Sequence, residues 1–205
     1  MFLSSGAVVA SYLVGSLSSA VLICRLIGAP DPRESGSGNP GATNVLRSAG
    51  KVAAAATLLG DIAKGVVPVL LATHFDLAPW VVGGCACAAF LGHLFPVFFG
   101  FRGGKGVATF TGVLFALAPA LGAAFCGIWL TTAAVFRYSS LAALLATAAA
   151  PLVGAALGLP AAITGALVVM ASAIFWRHRA NIARLQAGTE NRIGKPTAGG
   201  PLRRY

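Results

Sequence analysis

The stretch VATFTGVLFALAPALGAAFCGIWLTTAAVF (107–136) decides how many times this chain crosses a membrane. Its thirty residues are too many for one upright span, which needs ~20 apolar residues, and few for two. Pro119, followed by Ala120, Leu121 and Gly122, offers a turn near the middle. The charges on either side choose between the readings. A single helix would put Arg137 and the basic C-terminal segment on opposite faces of the membrane. Two short helices folded back at Pro119 keep every basic loop on one face.

The rest of the chain supports a membrane reading. It is 57% hydrophobic with a mean hydropathy of +0.83, and 10% of its 205 residues are charged, against ~25% in soluble domains. Apolar runs at 1–24, 52–73, 79–101, 141–157 and 159–176 each read as a transmembrane helix. With the hairpin at Pro119, the expected fold class is an all-α integral membrane protein of seven transmembrane helices, forming a single domain over 1–205. The net charge of +10 does not point to nucleic acid, because the Lys and Arg residues sit between the runs or after the last one, Lys64 excepted. The turns at 74–79, 117–121 and 157–161 carry neither residue, so the basic face is cytoplasmic, with the N-terminus outside and the C-terminus inside. The first run has no basic segment ahead of it, which argues against a cleaved signal peptide. The tail 197–205 reads as mobile.

Small residues at Ala7, Ser11, Gly15 and Ser19 recur every fourth position, a spacing that suits close helix packing in lipid. Cys24, Cys85, Cys87 and Cys126 all lie in apolar runs and read as packing residues. Nothing in the sequence calls for a metal.

Three polar clusters share the cytoplasmic face. The first, SGSGNPGATNVLR (35–47), cannot lie in lipid, where its backbone would lose hydrogen bonds. Gly38 and Gly41 permit a nest of backbone N–H groups for an anion, and Ser37, Asn39, Thr43 and Asn44 add polar side chains. Arg47 can offer a phosphate a bidentate fork. The plainer reading is a flexible polar loop whose glycines serve turns. It is not a Walker A loop, since Ala42 stands where the lysine belongs.

In the second cluster, Gly103, Gly104, Lys105 and Gly106 precede a helix beginning near Val107 and continuing through Thr109. Bare N–H groups there attract anions, and Lys105 adds charge; the plainer reading is an interfacial turn with snorkelling side chains. The third cluster continues the last helix: Arg177, Asn181 and Arg184 are spaced i, i+4, i+7 on one face, with His178 beside them. His178 can act as base, acid or donor, whereas a basic membrane anchor would account for the arginines alone. Deeper in the helices, Asp61 and Lys64 are placed to neutralise each other, and His93 is balanced between packing and the site.

The motifs SGNPGATNVLR (37–47), GGKGVAT (103–109) and RHRANIARLQAGTE (177–190), in this order and spacing, resemble the bacterial acyl-phosphate:glycerol-3-phosphate acyltransferases, the PlsY family, over essentially the whole chain. Arg102 departs from the lysine common before the glycine pair. The resemblance implies transfer of a fatty acyl group from acyl phosphate to the 1-hydroxyl of glycerol-3-phosphate, giving lysophosphatidic acid and inorganic phosphate, without a cofactor. It implies a bacterial inner-membrane location with the site facing the cytoplasm. It assigns Ser37, Arg47, Lys105, His178 and Asn181 to catalysis and phosphate holding, the glycine loops and Ser140 to substrate binding, and a structural role to Glu190. A phosphate or phosphoester transporter is the alternative from another class; it would need polar groups near the midplane and repeated halves, and only Asp61 and Lys64 lie deep. Other acyltransferases with a His-x4-Asp motif are excluded, because Pro79, Phe98 and Ala183 follow His74, His93 and His178 at that interval.

Overall fold

The computed structural model describes residues 2–194; the tail 197–205 lies outside the described residues. Within them the chain is all helix: α1 (Phe2–Gly15), α2 (Ser19–Leu26), α3 (Ala42–Ser48), α4 (Gly50–His74), α5 (Pro79–Leu94), α6 (Val107–Leu117), α7 (Pro119–Phe136), α8 (Ser139–Ala156), α9 (Ala161–Arg177) and α10 (Arg179–Gln186). The protein is an all-α integral membrane protein. Four segments are long and apolar enough to span a bilayer singly, and the bent pairs α1–α2 and α9–α10 add up to two more. At 11 residues, α6 is shorter than a usual span.

The reversal in the opening stretch falls at Ala118, the one residue between α6 and α7, whose extended backbone leads into Pro119 at the first turn of α7. Proline suits that position because its missing N–H has no helical partner there and its φ is already helical. The stretch divides unevenly, into 11 and 18 residues. The first apolar run is not one helix but two, bent by 43° between Gly15 and Ser19.

Glycines set the closest helix contacts. A Cβ on Gly65 would overlap the Thr109 carbonyl, and one on Gly112 the Ile62 carbonyl, so α4 and α6 touch backbone to backbone. Gly15 faces Ala89 and Gly92 faces Tyr12 in the same way between α1 and α5. Such small-residue seams suit helices in lipid, where close van der Waals packing replaces the hydrophobic drive. Around them Phe90, Leu94, Phe110, Leu114, Leu121, Leu167, Met170 and Ile174 form a fully buried core. Phe110 meets Phe90 and Phe125 edge-on, with centroids 6.4 and 5.8 Å apart.

A smaller cluster of Ala20, Cys24, Val45, Ala53 and Ala54 seats α3 on α2 and α4. The loop ahead of α3 is held by Arg33. Its guanidinium grips both Asp31 oxygens, at 3.0 and 2.6 Å, and donates to the Phe99 carbonyl at 3.1 Å. That hydrogen-bonded pairing with Arg33 holds the Asp31 carboxyl down to about 2.

Candidate active site

The three polar clusters converge at one end of the helices, around a cavity of about 410 Å³. Ser37, Asn39, Gly41, Thr43, Asn44 and Arg47 line it from the first loop and α3. Lys105 and Gly106 enter from the loop before α6, Ser140 from the start of α8, and His178 and Asn181 from the junction of α9 and α10. Leu58, Ile62, Phe125, Trp129 and Leu130, from α4 and α7, give it an apolar wall. Sequence reasoning missed that wall, because a lipid-facing leucine and a cavity-facing one look alike.

Gly38, Gly103, Gly104 and Thr109 do not line the cavity, although the sequence reading placed them with the substrate. Gly103 and Gly104 press against the end of α5, where a Cβ would overlap the His93 and Leu94 carbonyls or the His93 ring. Thr109 is fully buried against α4. Gly38 does take a left-handed backbone (φ +68°), but Gly41 is extended (φ −144°), so the expected pair of turn-forming glycines is Gly36 and Gly38 instead. Asn44 is committed to the loop itself: its Oδ1 accepts from the Ser37 N–H at 2.9 Å, and its Nδ2 donates to the Pro32 and Ser35 carbonyls at 2.8 and 3.0 Å.

The last helix does not run straight. The chain bends 58° between α9 and α10, at His178, so Arg177 no longer shares a face with Asn181 and Arg184. At the bend, His178 Nδ1 donates to the Ile174 carbonyl at 2.8 Å, which leaves Nε2 as the acceptor of the neutral ring. Burial, with Lys105 and Arg177 nearby, outweighs that carbonyl and pushes the imidazole down to about 4. The ring is therefore neutral at physiological pH.

Lys105 donates to Asn181 Oδ1 at 2.6 Å, and Asn181 Nδ2 donates to Glu190 Oε1 at 2.6 Å. Ser140 donates to the same oxygen at 2.8 Å, and Arg184 Nε donates to Oε2 at 2.7 Å. Burial would raise the Glu190 carboxyl, but these donors outweigh it and hold it below its ordinary range. Burial, with Arg184, Arg177 and Arg47 around it, pushes the Lys105 ammonium down despite Glu190. Glu190 comes from the strand of chain after α10. There the Ile193 N–H donates to the Arg137 carbonyl at 2.7 Å and an Arg137 Nη to the Ile193 carbonyl at 2.9 Å, tying it to the α7–α8 turn. Asp61 and His93 reach the cavity from below. Asp61 pairs with Lys64 at 2.8 Å, so the expected neutralising pair forms, and His93 Nδ1 lies 3.7 Å from Asp61. Among the described residues, no group of three or more His, Cys, Asp or Glu is placed to hold a metal ion.

The family described as glycerol-3-phosphate acyltransferase matches residues 5–188. The chain belongs to that family. The glycerol-3-phosphate acyltransferase of Thioalkalivibrio sulfidiphilus is 53% identical over 197 residues, covering 96% of this chain and 97% of that one. That of Halorhodospira halophila is 54% identical over 187 residues, covering 91% and 95%. The fold matches the crystal structure of PlsY, an integral membrane glycerol 3-phosphate acyltransferase, in its glycerol 3-phosphate form. The TM-score is 0.89 and the identity 41%, over 93% of this chain and 96% of that one. The lysophosphatidic acid form of PlsY matches with a TM-score of 0.87. This acyltransferase family thus contains a solved structure with the same arrangement of membrane helices as this chain.

Proposed function

We propose that the protein transfers a fatty acyl group from acyl phosphate to the 1-hydroxyl of glycerol-3-phosphate, yielding lysophosphatidic acid and inorganic phosphate. The observation that carries this reading is the cavity itself. Arg47 and Lys105 line its polar end, and an apolar wall runs from there to Phe125 on α7. Phe125 lies 11 residues before the end of that helix, ~16 Å at 1.5 Å per residue. Such a site suits an anionic head with a long apolar chain together with a polar, anionic acceptor.

Acyl phosphate is a mixed anhydride and already activated, so the protein's contribution is orientation and charge stabilisation rather than a covalent intermediate. Arg47 and Lys105 hold phosphate oxygens, and Ser37 and Asn181 add polar contacts. The glycerol oxygen attacks the acyl carbon, the bond from that carbon to the phosphate oxygen breaks, and phosphate leaves. With its conjugate acid titrating near 4, His178 is a weak base at neutral pH. Its Nε2 accepts a hydrogen bond from the attacking hydroxyl, and the proton passes to the departing phosphate. Asn39, Gly41, Thr43, Gly106 and Ser140 shape the substrate pocket, while Gly38, Gly103 and Gly104 set the loops around it and Thr109 seats α6 against α4. No cofactor takes part.

We place the protein in the bacterial inner membrane with seven spans, α6 being the short one, the N-terminus outside and the site facing the cytoplasm. The distribution of Lys and Arg supports this orientation. The test is phosphate release by purified protein in detergent. It should occur from acyl phosphate only when glycerol-3-phosphate is added. Release without the acceptor, or none with it, together with phosphoester uptake into protein-containing vesicles, would favour the transporter instead.

A further inference from the structure

Arg177 stands beside the cavity without lining it, because its fork is committed to the loop that carries Lys105. Nε donates to the Gly104 carbonyl at 3.1 Å, and Nη2 donates to the Gly103 carbonyl at 2.7 Å. On the other side of the same peptides, the Gly104 N–H donates to the His93 carbonyl at 3.2 Å. A side chain on Gly104 would overlap the His93 imidazole, and one on Gly103 would overlap the His93 and Leu94 carbonyls. The two peptides ahead of Lys105 are therefore gripped between Arg177 and the end of α5.

The grip has a buried foundation. His93 Nδ1 lies 3.7 Å from Asp61, Asp61 pairs with Lys64 at 2.8 Å, and Lys64 donates at 2.9 Å to the Leu17 carbonyl in the break between α1 and α2. Asp61, Lys64 and His93 are all buried. Contacts thus run from the bend in the first helix pair to the Lys105 loop. At the other end, Asn181 holds only the tip of the flexible lysine chain.

We infer that Arg177 is a positioning residue: by clamping the Gly103 and Gly104 carbonyls against His93, it fixes where Lys105 leaves the backbone and so where its ammonium meets the substrate phosphate. This rests on the catalytic role proposed above for Lys105. Lysine cannot replace the clamp, because only the planar guanidinium presents two N–H groups in a fixed fork to two carbonyls. A misplacement of ~1 Å in a catalytic group can cost about 100-fold in rate.

The test is a double-mutant cycle read on kcat, with melting temperature in detergent as the folding control. Arg177→Lys should lower kcat about 100-fold in the wild type and by less than about threefold in Lys105→Ala, because a residue acting through Lys105 has nothing left to position. Equal losses in both backgrounds overturn the inference, since Arg177 would then act on substrate or on the fold at large. Arg177→Ala should recover at least about tenfold of its lost rate when guanidinium ion is added, a rescue expected when a lost interaction can be restored from solution. No recovery in a protein that melts like the wild type also overturns it. Should Arg177→Ala not fold, Gly104→Ala probes the same grip by driving a methyl into His93. It should slow the wild type and spare Lys105→Ala, and equal slowing rejects the clamp. A Lys105→Ala enzyme with wild-type kcat removes both this inference and the catalytic reading, whereas additivity removes the inference alone.

Discussion

Lys105, in the loop before α6, and Asn181, on α10 and 76 residues further along the chain, share a 2.6 Å hydrogen bond in which the ammonium donates to the amide oxygen. Glu190 holds the other end of that amide at 2.6 Å, so the ammonium is aimed by a relay and not paired directly with a carboxylate. A lysine held by a neutral amide is not neutralised by a carboxylate partner, which leaves its ammonium to face a substrate anion. Arg47 lines the same cavity and is exposed.

The first prediction follows from those two cations. Arg47→Ala and Lys105→Ala should each lose at least about 100-fold in kcat, the scale of removing one preorganised electrostatic stabiliser. Steady-state phosphate release measures it. Near wild-type turnover in both variants would mean that the two loops do not hold the reacting phosphate.

Donor choice gives the second. The cavity joins a cationic end to an apolar wall, and the sequence holds no Walker A motif for a nucleotide. Acyl phosphate should therefore be used far faster than acyl-CoA at equal concentration. Comparable rates with the two donors, measured on the same preparation, would reject this substrate assignment.

The third concerns pH. The His178 imidazole titrates near 4 in the folded protein against an ordinary 6.5. The neutral ring needed as an acceptor therefore persists well below neutrality, and the limb of the rate profile that His178 governs should lie near pH 4, not near 6.5. The stability sign follows from the same shift. Between pH 6.5 and 4 the unfolded chain binds this proton and the folded one does not, so the melting temperature should fall as pH drops through that window. His178→Gln should remove that part of the fall. An acid limb near 6.5 that disappears in His178→Gln would instead make His178 the base.

The fourth tests the buried charges. Asp61→Asn leaves the Lys64 ammonium buried without its carboxylate, and breaking such a pair costs about 3–5 kcal/mol. Asp61→Leu with Lys64→Met should recover most of that loss, because two apolar side chains need no desolvation of charge. Thermal midpoints in one detergent decide it. A double variant no more stable than Asp61→Asn would show that the two charges stabilise the fold independently of each other.

These sites differ in how far the sequence disclosed them. The reversal at Ala118 was legible because Pro119 and the parity of basic loops both demanded it. The pair Asp61–Lys64 was legible because charges one helical turn apart in lipid have few other partners. The bends at residues 16–18 and at His178 were not, since no proline or glycine pair marks the second and small residues mark the first only weakly. Gly103 and Gly104 were ambiguous for a physical reason: an anion nest and a close backbone contact both require a missing Cβ, and it is the neighbouring His93 ring and the His93 and Leu94 carbonyls that reveal the contact. Glu190 lies beyond the last helix, where no periodicity signals that it will fold back onto Ser140 and Asn181.

The last prediction is topological and independent of the chemistry. The parity argument puts the turn at Ala118 outside the cell and the start of α4 inside. At 11 residues, α6 is only ~16 Å long at 1.5 Å per residue, well short of a ~30 Å hydrocarbon core. If α6 crosses, the bilayer must thin there or its neighbours must shield its ends. The packing supplies such neighbours: Gly65 and Gly112 bring α6 into backbone contact with the 25-residue α4, and Phe110 and Leu114 are wholly buried. A cysteine at the exposed Ala120, with Cys24, Cys85, Cys87 and Cys126 replaced, should react with a membrane-impermeant thiol reagent added to intact cells. A cysteine at the exposed Lys51, in the first turn of α4, should react only after the membrane is opened. If both sites label only after opening, α6 and α7 form a re-entrant hairpin that enters and leaves on the site's own side, and the count falls by two, to five. If the pattern is reversed, the site faces outward, away from the cytoplasmic supply of glycerol-3-phosphate that the proposed reaction draws on.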